Sequence, residues 1–92
     1  MEVSGIIIAE TGVREGTSKS GRPWKMAGYV LETLEAYPKR IAFEVSDGDA
    51  GRIARLAIKQ GKRMTVYFDV DAREYEGRWF NTVRAYDAKE LV

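Results

Sequence analysis

Two alternating runs of residues meet at Glu76-Gly77, and that junction constrains the fold more than any other stretch of the chain. Before it comes Tyr67-Phe68-Asp69-Val70-Asp71-Ala72-Arg73-Glu74-Tyr75, and after it Arg78-Trp79-Phe80-Asn81-Thr82-Val83-Arg84-Ala85-Tyr86. Strand side chains alternate between the two faces of a sheet. A tight turn at Glu76-Gly77 therefore sets Tyr75 opposite Arg78, Arg73 opposite Phe80, Asp69 opposite Arg84 and Tyr67 opposite Tyr86. These residues share one face, a mixture of rings and charges of the kind that stacks on bases or meets a partner. The reverse face carries Phe68, Val70, Ala72, Trp79, Val83 and Ala85, interrupted by Glu74 and Asn81, and reads as a wall of the core. On that reading Trp79 is a core residue whose indole N–H needs a partner, and Asn81 is a buried amide that bridges backbone groups.

The remaining elements follow from the same periodicity. Ile6-Ile7-Ile8, flanked by Val3 and Ala9, is a β-branched run too short for a helix, which predicts a first strand from Val3 to Glu10. Thr11 to Pro23 holds Gly12, Gly16, Gly21 and Pro23 among hydroxyl and basic residues and reads as a long loop, a feature that compact domains reserve for function. Trp24 to Glu35 reads as the second strand, and Tyr37-Pro38 as a turn. Arg40 to Val45 alternates cleanly and forms the third, with Ile41, Phe43 and Val45 inward. Asp47-Gly48-Asp49 offers a helix cap before Ala50 to Lys59, whose apolar face is Ile53, Leu56 and Ala57, and Gln60-Gly61 supplies the stop. Arg63 to Tyr75 and Arg78 to Tyr86 complete the strands. Three strands, a helix and two strands make an all-β fold. The arrangement is that of a five-stranded antiparallel Greek-key oligonucleotide/oligosaccharide-binding (OB) barrel, with one α-helix between strands three and four. The domain is expected to span residues 1–86, with 87–92 as a short tail.

Composition removes several classes of function. With 92 residues the chain is a single domain too small for a cleft between domains, and its hydrophobic fraction of 45% is that of a folded protein. It contains no cysteine and no histidine, which excludes disulfides, thiol nucleophiles, Cys/His zinc sites and imidazole acid–base chemistry. No apolar run approaches membrane-spanning length, and Met1-Glu2-Val3-Ser4-Gly5 has no signal-peptide pattern. A cytoplasmic protein without membrane association is the expectation. The net charge of +1 lacks the basic excess of most nonspecific nucleic-acid binders. The charges are unevenly spread, however, and Arg14, Lys19, Arg22 and Lys25 gather in one segment opposed only by Glu15.

The residues Met1-Glu2-Val3-Ser4-Gly5, Ser18-Lys19-Ser20-Gly21 with Trp24-Lys25, and Phe68 to Tyr75 followed by Gly77-Arg78-Trp79-Phe80-Asn81 are familiar as a set. Together they resemble a small bacterial and phage family of uncharacterised domains grouped with OB-fold single-stranded-DNA-binding proteins. The resemblance covers the chain to about Tyr86. It implies the barrel more firmly than any activity, since OB barrels also serve proteins and sugars. Relatives tend to place Asn before the turn glycine, where this chain has Glu76.

The candidate nucleic-acid-binding residues form two groups. Trp24 is expected on the outer face with Met26, Gly28 and Val30, where it would stack on a base, with Arg14, Lys19, Arg22 and Lys25 contacting phosphates. Arg73, Tyr75, Arg78 and Phe80 at the hairpin tip flank the same groove. Tyr67, Phe80, Arg84 and Tyr86 serve equally well as an interface between copies of the chain. Asp69 and Asp71 lie on one strand face, but the expected partner of Asp69 is Arg84, not a metal. Ser18-Lys19-Ser20-Gly21 lacks the glycine spacing of a phosphate-binding P-loop. The expectation is a non-catalytic protein without metal, cofactor or small-molecule substrate. It binds single-stranded DNA, or RNA, with little sequence preference and as a homo-oligomer. The alternative is an assembly module that keeps the barrel without nucleic-acid binding.

Overall fold

In the computed structural model, which describes residues 1–48 and 51–91, the chain runs β1 (Glu2–Thr17), β2 (Pro23–Thr33), β3 (Arg40–Ser46), α1 (Arg52–Leu56), β4 (Arg63–Tyr75) and β5 (Arg78–Glu90). The strands form a closed barrel in the order β1-β2-β3-β5-β4. Neighbours are antiparallel except β3 and β5, which run parallel at Glu44↔Arg84. The sheet is therefore mixed, not wholly antiparallel as expected. The reason is topological: strands that alternate in direction around a ring need an even number, so an odd ring must contain a parallel pair.

Alternate positions fill the interior. Ala27, Tyr29 and Leu31 from β2, Phe43 and Val45 from β3, and Met64 and Val66 from β4 are buried with Ile7 and Ala85. The Tyr29 and Phe43 rings stack with centroids 5.6 Å apart. Each large side chain removed from water in this way contributes about 1.5–3 kcal/mol. Gly5 lies where β1 pairs with both Thr33 of β2 and Met64 of β4. A Cβ there would run into the Glu32 carbonyl oxygen and lie 2.7 Å from Leu31 Cδ2, so only glycine lets the strands approach.

β1 continues to Thr17, and most of the expected Thr11–Pro23 loop is a ladder with β2, from Gly12↔Gly28 to Thr17↔Pro23. The true connection is only residues 18–22. Register shifts occur between Ile7/Ala9 and Glu10/Gly12, and bulges of this kind bend a strand and increase its twist. Pro23 opens β2, a position where its missing N–H is tolerated.

The helix is shorter than expected. Asp47 helps to start it, its carboxylate accepting from the Ile53 N–H at 3.0 Å and its carbonyl from the Arg52 N–H at 2.9 Å. Asp49 and Ala50 lie outside the described residues. The helix stops at Leu56 because Ala57 turns left-handed, with φ of 49°. Leu56 and Ile58 are both buried, and residues two apart cannot share a helix face, so Gln60-Gly61 comes too late to be the stop. At the other end of the chain, β5 passes Tyr86 and pairs through Glu90, opposite Met64.

Candidate nucleic-acid interface

Two hairpin arms reach past the barrel, and the candidate residues divide between them. On the β1–β2 arm Trp24 stands opposite Gly16. A Cβ on Gly16 would lie 2.8 Å from Trp24 Cζ2, so the indole rests on bare backbone, a cross-strand use of glycine that fixes an aromatic ring. Trp24 remains 44% exposed. The turn is closed by Ser18, which donates its N–H to the Arg22 carbonyl at 2.8 Å and accepts the Gly21 N–H at 2.9 Å; Lys19 is exposed there. Arg22, Trp24 and Lys25 line a groove of 640 Å³ together with Glu15, Asp47 and Gly48. Among the described residues its charges are two cations, Arg22 and Lys25, and two carboxylates, Glu15 and Asp47.

Arg14 does not join that cluster. Its Nη2 donates to Glu44 Oε1 at 2.7 Å and lies 4.0 Å from Met26 Sδ. The diagonal reach from β1 to β3 passes the Gly28 position of β2, where a Cβ would collide with the Thr11 hydroxyl. Arg14, Glu44, Met26, Gly28 and Thr11, with Asn81 and Thr82 from β5, line a second cleft of 310 Å³. Tyr29 also borders it. Burial pushes the Tyr29 phenol above its ordinary pKa, and the Glu10 carboxylate adds to the shift.

The β4–β5 arm follows the expected turn. Tyr75 pairs with Arg78, Arg73 with Phe80 and Asp69 with Arg84. Glu76 and Gly77 both have positive φ, 50° and 78°, the signature of a type I′ turn. The reverse face is where the structure corrects the sequence reading. Trp79 is 68% exposed and Val70 44% exposed, and Asn81 is exposed as well. Only Phe68, Val83 and Ala85 are buried or half-buried. The alternation is real, but the barrel behind it ends near Phe68, so beyond that point an inward-facing side chain meets solvent or the cleft. Strands of 13 residues are far longer than the usual 5–6, and that length is the signal that could have moved Trp79 and Asn81 into the site. The arm thus carries Trp79 on one face and Tyr75 and Phe80, both exposed, on the other.

The expected interface residues are only partly brought together. A bulge after Tyr67 sets Tyr67 opposite Asp87 and Phe68 opposite Ala85, leaving Tyr86 as the extra residue. The Tyr67 and Tyr86 rings still approach, centroids 6.5 Å apart, and Lys89 Nζ lies 5.6 Å from the Tyr67 centroid. Phe80 is six residues from Tyr86, roughly 20 Å along the strand, and belongs to the arm tip instead. Asp69 and Arg84 are paired in register, yet no ion pair forms between them among the described residues. No described helix is long and apolar enough to cross a membrane.

Comparison with known proteins agrees with this architecture. The chain belongs to the family described as Domain of unknown function (DUF3127), matched over residues 2–89. A comparison with curated protein sequences finds no match. Among solved structures the fold is similar to the mitochondrial single-stranded DNA binding protein Rim1 of S. cerevisiae, with a TM-score of 0.70 and 16% identity over 99% of this chain and 92% of that one. It is also similar to the N-terminal domain of PriB from Thermoanaerobacter tencongensis, described as dimeric, with 0.68 and 15% over 100% and 94%. The small single-stranded DNA-binding protein of Streptomyces coelicolor follows with 0.53 and 10% over 100% and 93%. At these identities the similarity defines the fold, an OB-type architecture.

Proposed function

We propose that this protein is a non-catalytic binder of single-stranded DNA. The observation that carries the reading is the Trp24 indole, held against Gly16 with its surface open beside Arg22 and Lys25. A ring fixed before binding loses little freedom when a base stacks on it, and such stacking is worth about 1–3 kcal/mol per base. Lys19, Arg22 and Lys25 on one arm and Arg73 and Arg78 on the other follow the phosphates, while Tyr75, Phe80 and Trp79 supply further rings. Arg14, already held by Glu44, is the weakest phosphate contact of the set. Two of the structurally similar proteins are named for single-stranded DNA binding, which supports the reading.

One small barrel covers few nucleotides, so useful affinity comes from linked copies. The Tyr67–Tyr86 pair, on the outside of the barrel and away from the arm tips, is the proposed contact between copies; the similar PriB domain is described as dimeric. The test is titration of the protein with oligothymidylate at low and moderate salt, followed by tryptophan fluorescence. Quenching that weakens steeply with salt is expected. No binding at low salt would overturn the proposal and favour the assembly module, whose signature is a change in sedimentation on Tyr67→Ala with no dependence on DNA.

A further inference from the structure

The cleft between the arms is chemically unlike the groove beside Trp24. Its lining includes an ion pair, Arg14 Nη2 to Glu44 Oε1 at 2.7 Å. A phosphate entering there would have to displace Glu44 from Arg14 or sit against a carboxylate. A neutral group with its own donors and acceptors meets no such conflict. The pair is neutral as a unit and half open: the Arg14 side chain is 66% exposed and that of Glu44 33%. A carboxylate can accept about four hydrogen bonds and a guanidinium can donate five, so both retain free capacity. The surroundings suit a flat ligand. Thr11 lies over Gly28 and offers its hydroxyl there, Met26 offers a polarisable thioether, and Asn81 and Thr82 complete the lining. At 310 Å³ the cleft is at the small end of ligand sites, about 300–1,000 Å³.

Resting on the single-stranded-DNA reading, we infer that this cleft seats one nucleobase of the bound strand and selects guanine. The Watson–Crick edge of guanine presents two adjacent donors, N1–H and N2–H, beside the O6 acceptor. Glu44 accepts from the two donors while Arg14 donates to O6, and the ion pair stays intact. Adenine and cytosine each present a single amino donor on that edge. Thymine presents one N–H between two carbonyls, so the second carboxylate oxygen faces an acceptor and is repelled. The strand therefore lies with phosphates along the basic residues of the arms and one base turned into the cleft, and the expected indifference to sequence ends at this subsite.

The experiment compares oligothymidylate with alternating thymine–guanine, thymine–adenine and thymine–cytosine oligonucleotides of equal length, on the intact chain and on Glu44→Gln. The intact chain is expected to prefer thymine–guanine over oligothymidylate by roughly tenfold. In Glu44→Gln that ratio should fall toward unity, with affinity for oligothymidylate rising as the repelling charge is removed. Equal affinity for all four, or a preference for adenine or cytosine, would overturn the guanine subsite while leaving single-stranded-DNA binding in place. A guanine preference that Glu44→Gln retains would remove Glu44 from the site. Failure of every oligonucleotide to bind at low salt would overturn both readings. The unaltered chain's ratio decides the matter even where the variant folds poorly.

Discussion

The two arms are built alike and finished differently. Each is an antiparallel pair that leaves the barrel and ends in a short turn. On the β1–β2 arm the conspicuous ring, Trp24, is pinned against Gly16 and the turn is tied by Ser18. On the β4–β5 arm Trp79, Tyr75 and Phe80 stand exposed on both faces and the turn is two residues held at positive φ. One arm offers a fixed platform, the other a set of free rings. A fixed ring contributes affinity at little entropic cost, whereas free rings lose rotamer freedom on binding but accept ligands of varied shape.

The largest effect is expected at Gly5, where the strands of the two arms meet in the barrel. Gly5→Ala puts a methyl group against the Glu32 carbonyl, where β1 meets both β2 and β4, and is expected to destabilise by roughly 2–4 kcal/mol, read by urea unfolding. Next comes Trp24→Ala, expected to lose about 1–3 kcal/mol of oligonucleotide affinity with sedimentation unchanged; an equal loss from Tyr75→Ala would erase the distinction between platform and free rings. Glu76→Asn relieves a side chain held in the left-handed region, which costs about 1–2 kcal/mol for an ordinary residue. A gain of roughly half that, seen as a raised Tm, is expected.

A pH effect separates the barrel from the arms. The Tyr29 pKa is raised above 10.0 in the folded protein, so its contribution is complete below that pH and is lost as pH climbs toward the folded-state value. Tyr29→Phe should flatten this alkaline loss and leave neutral behaviour unaltered, as followed by thermal unfolding across the alkaline range. The smallest effect belongs to Trp79→Ala, expected to change stability by no more than about 0.5 kcal/mol because the ring is exposed. A core tryptophan would cost about 3–5 kcal/mol, so a large loss would restore Trp79 to the interior.

How legible each arm was in the sequence follows from what lies behind it. Arg40 to Val45 could be read because Phe43 and Val45 face the core and Ala42 and Glu44 do not. Phe68 to Ala85 could be paired across its turn because Glu76-Gly77 fixed the register, which holds until the bulge after Tyr67. Thr11 to Thr17 could not be read as a strand: it has no core beneath it, so nothing imposes alternation, and its glycines mimic a loop. The same absence of a core misplaced Trp79, since alternation reports which face a residue occupies but not whether anything packs against that face. At the site, Trp24 and its basic neighbours were visible as a cluster. Glu44 was not, because it is 30 residues from Arg14 and only the closing of the barrel brings them together.

That closing has a mechanical consequence. The barrel is sealed between β3 and β5 at Glu44↔Arg84, whereas every other seam is a ladder of several pairs. Of the barrel's seams, amides directed across the β3–β5 seam should therefore exchange fastest, as local opening begins where the fewest bonds must break. Glu44 belongs to this seam through its backbone and to the cleft through its side chain. A ligand gripping that side chain acts as a latch, slowing exchange at Glu44 and Arg84 far from either arm tip.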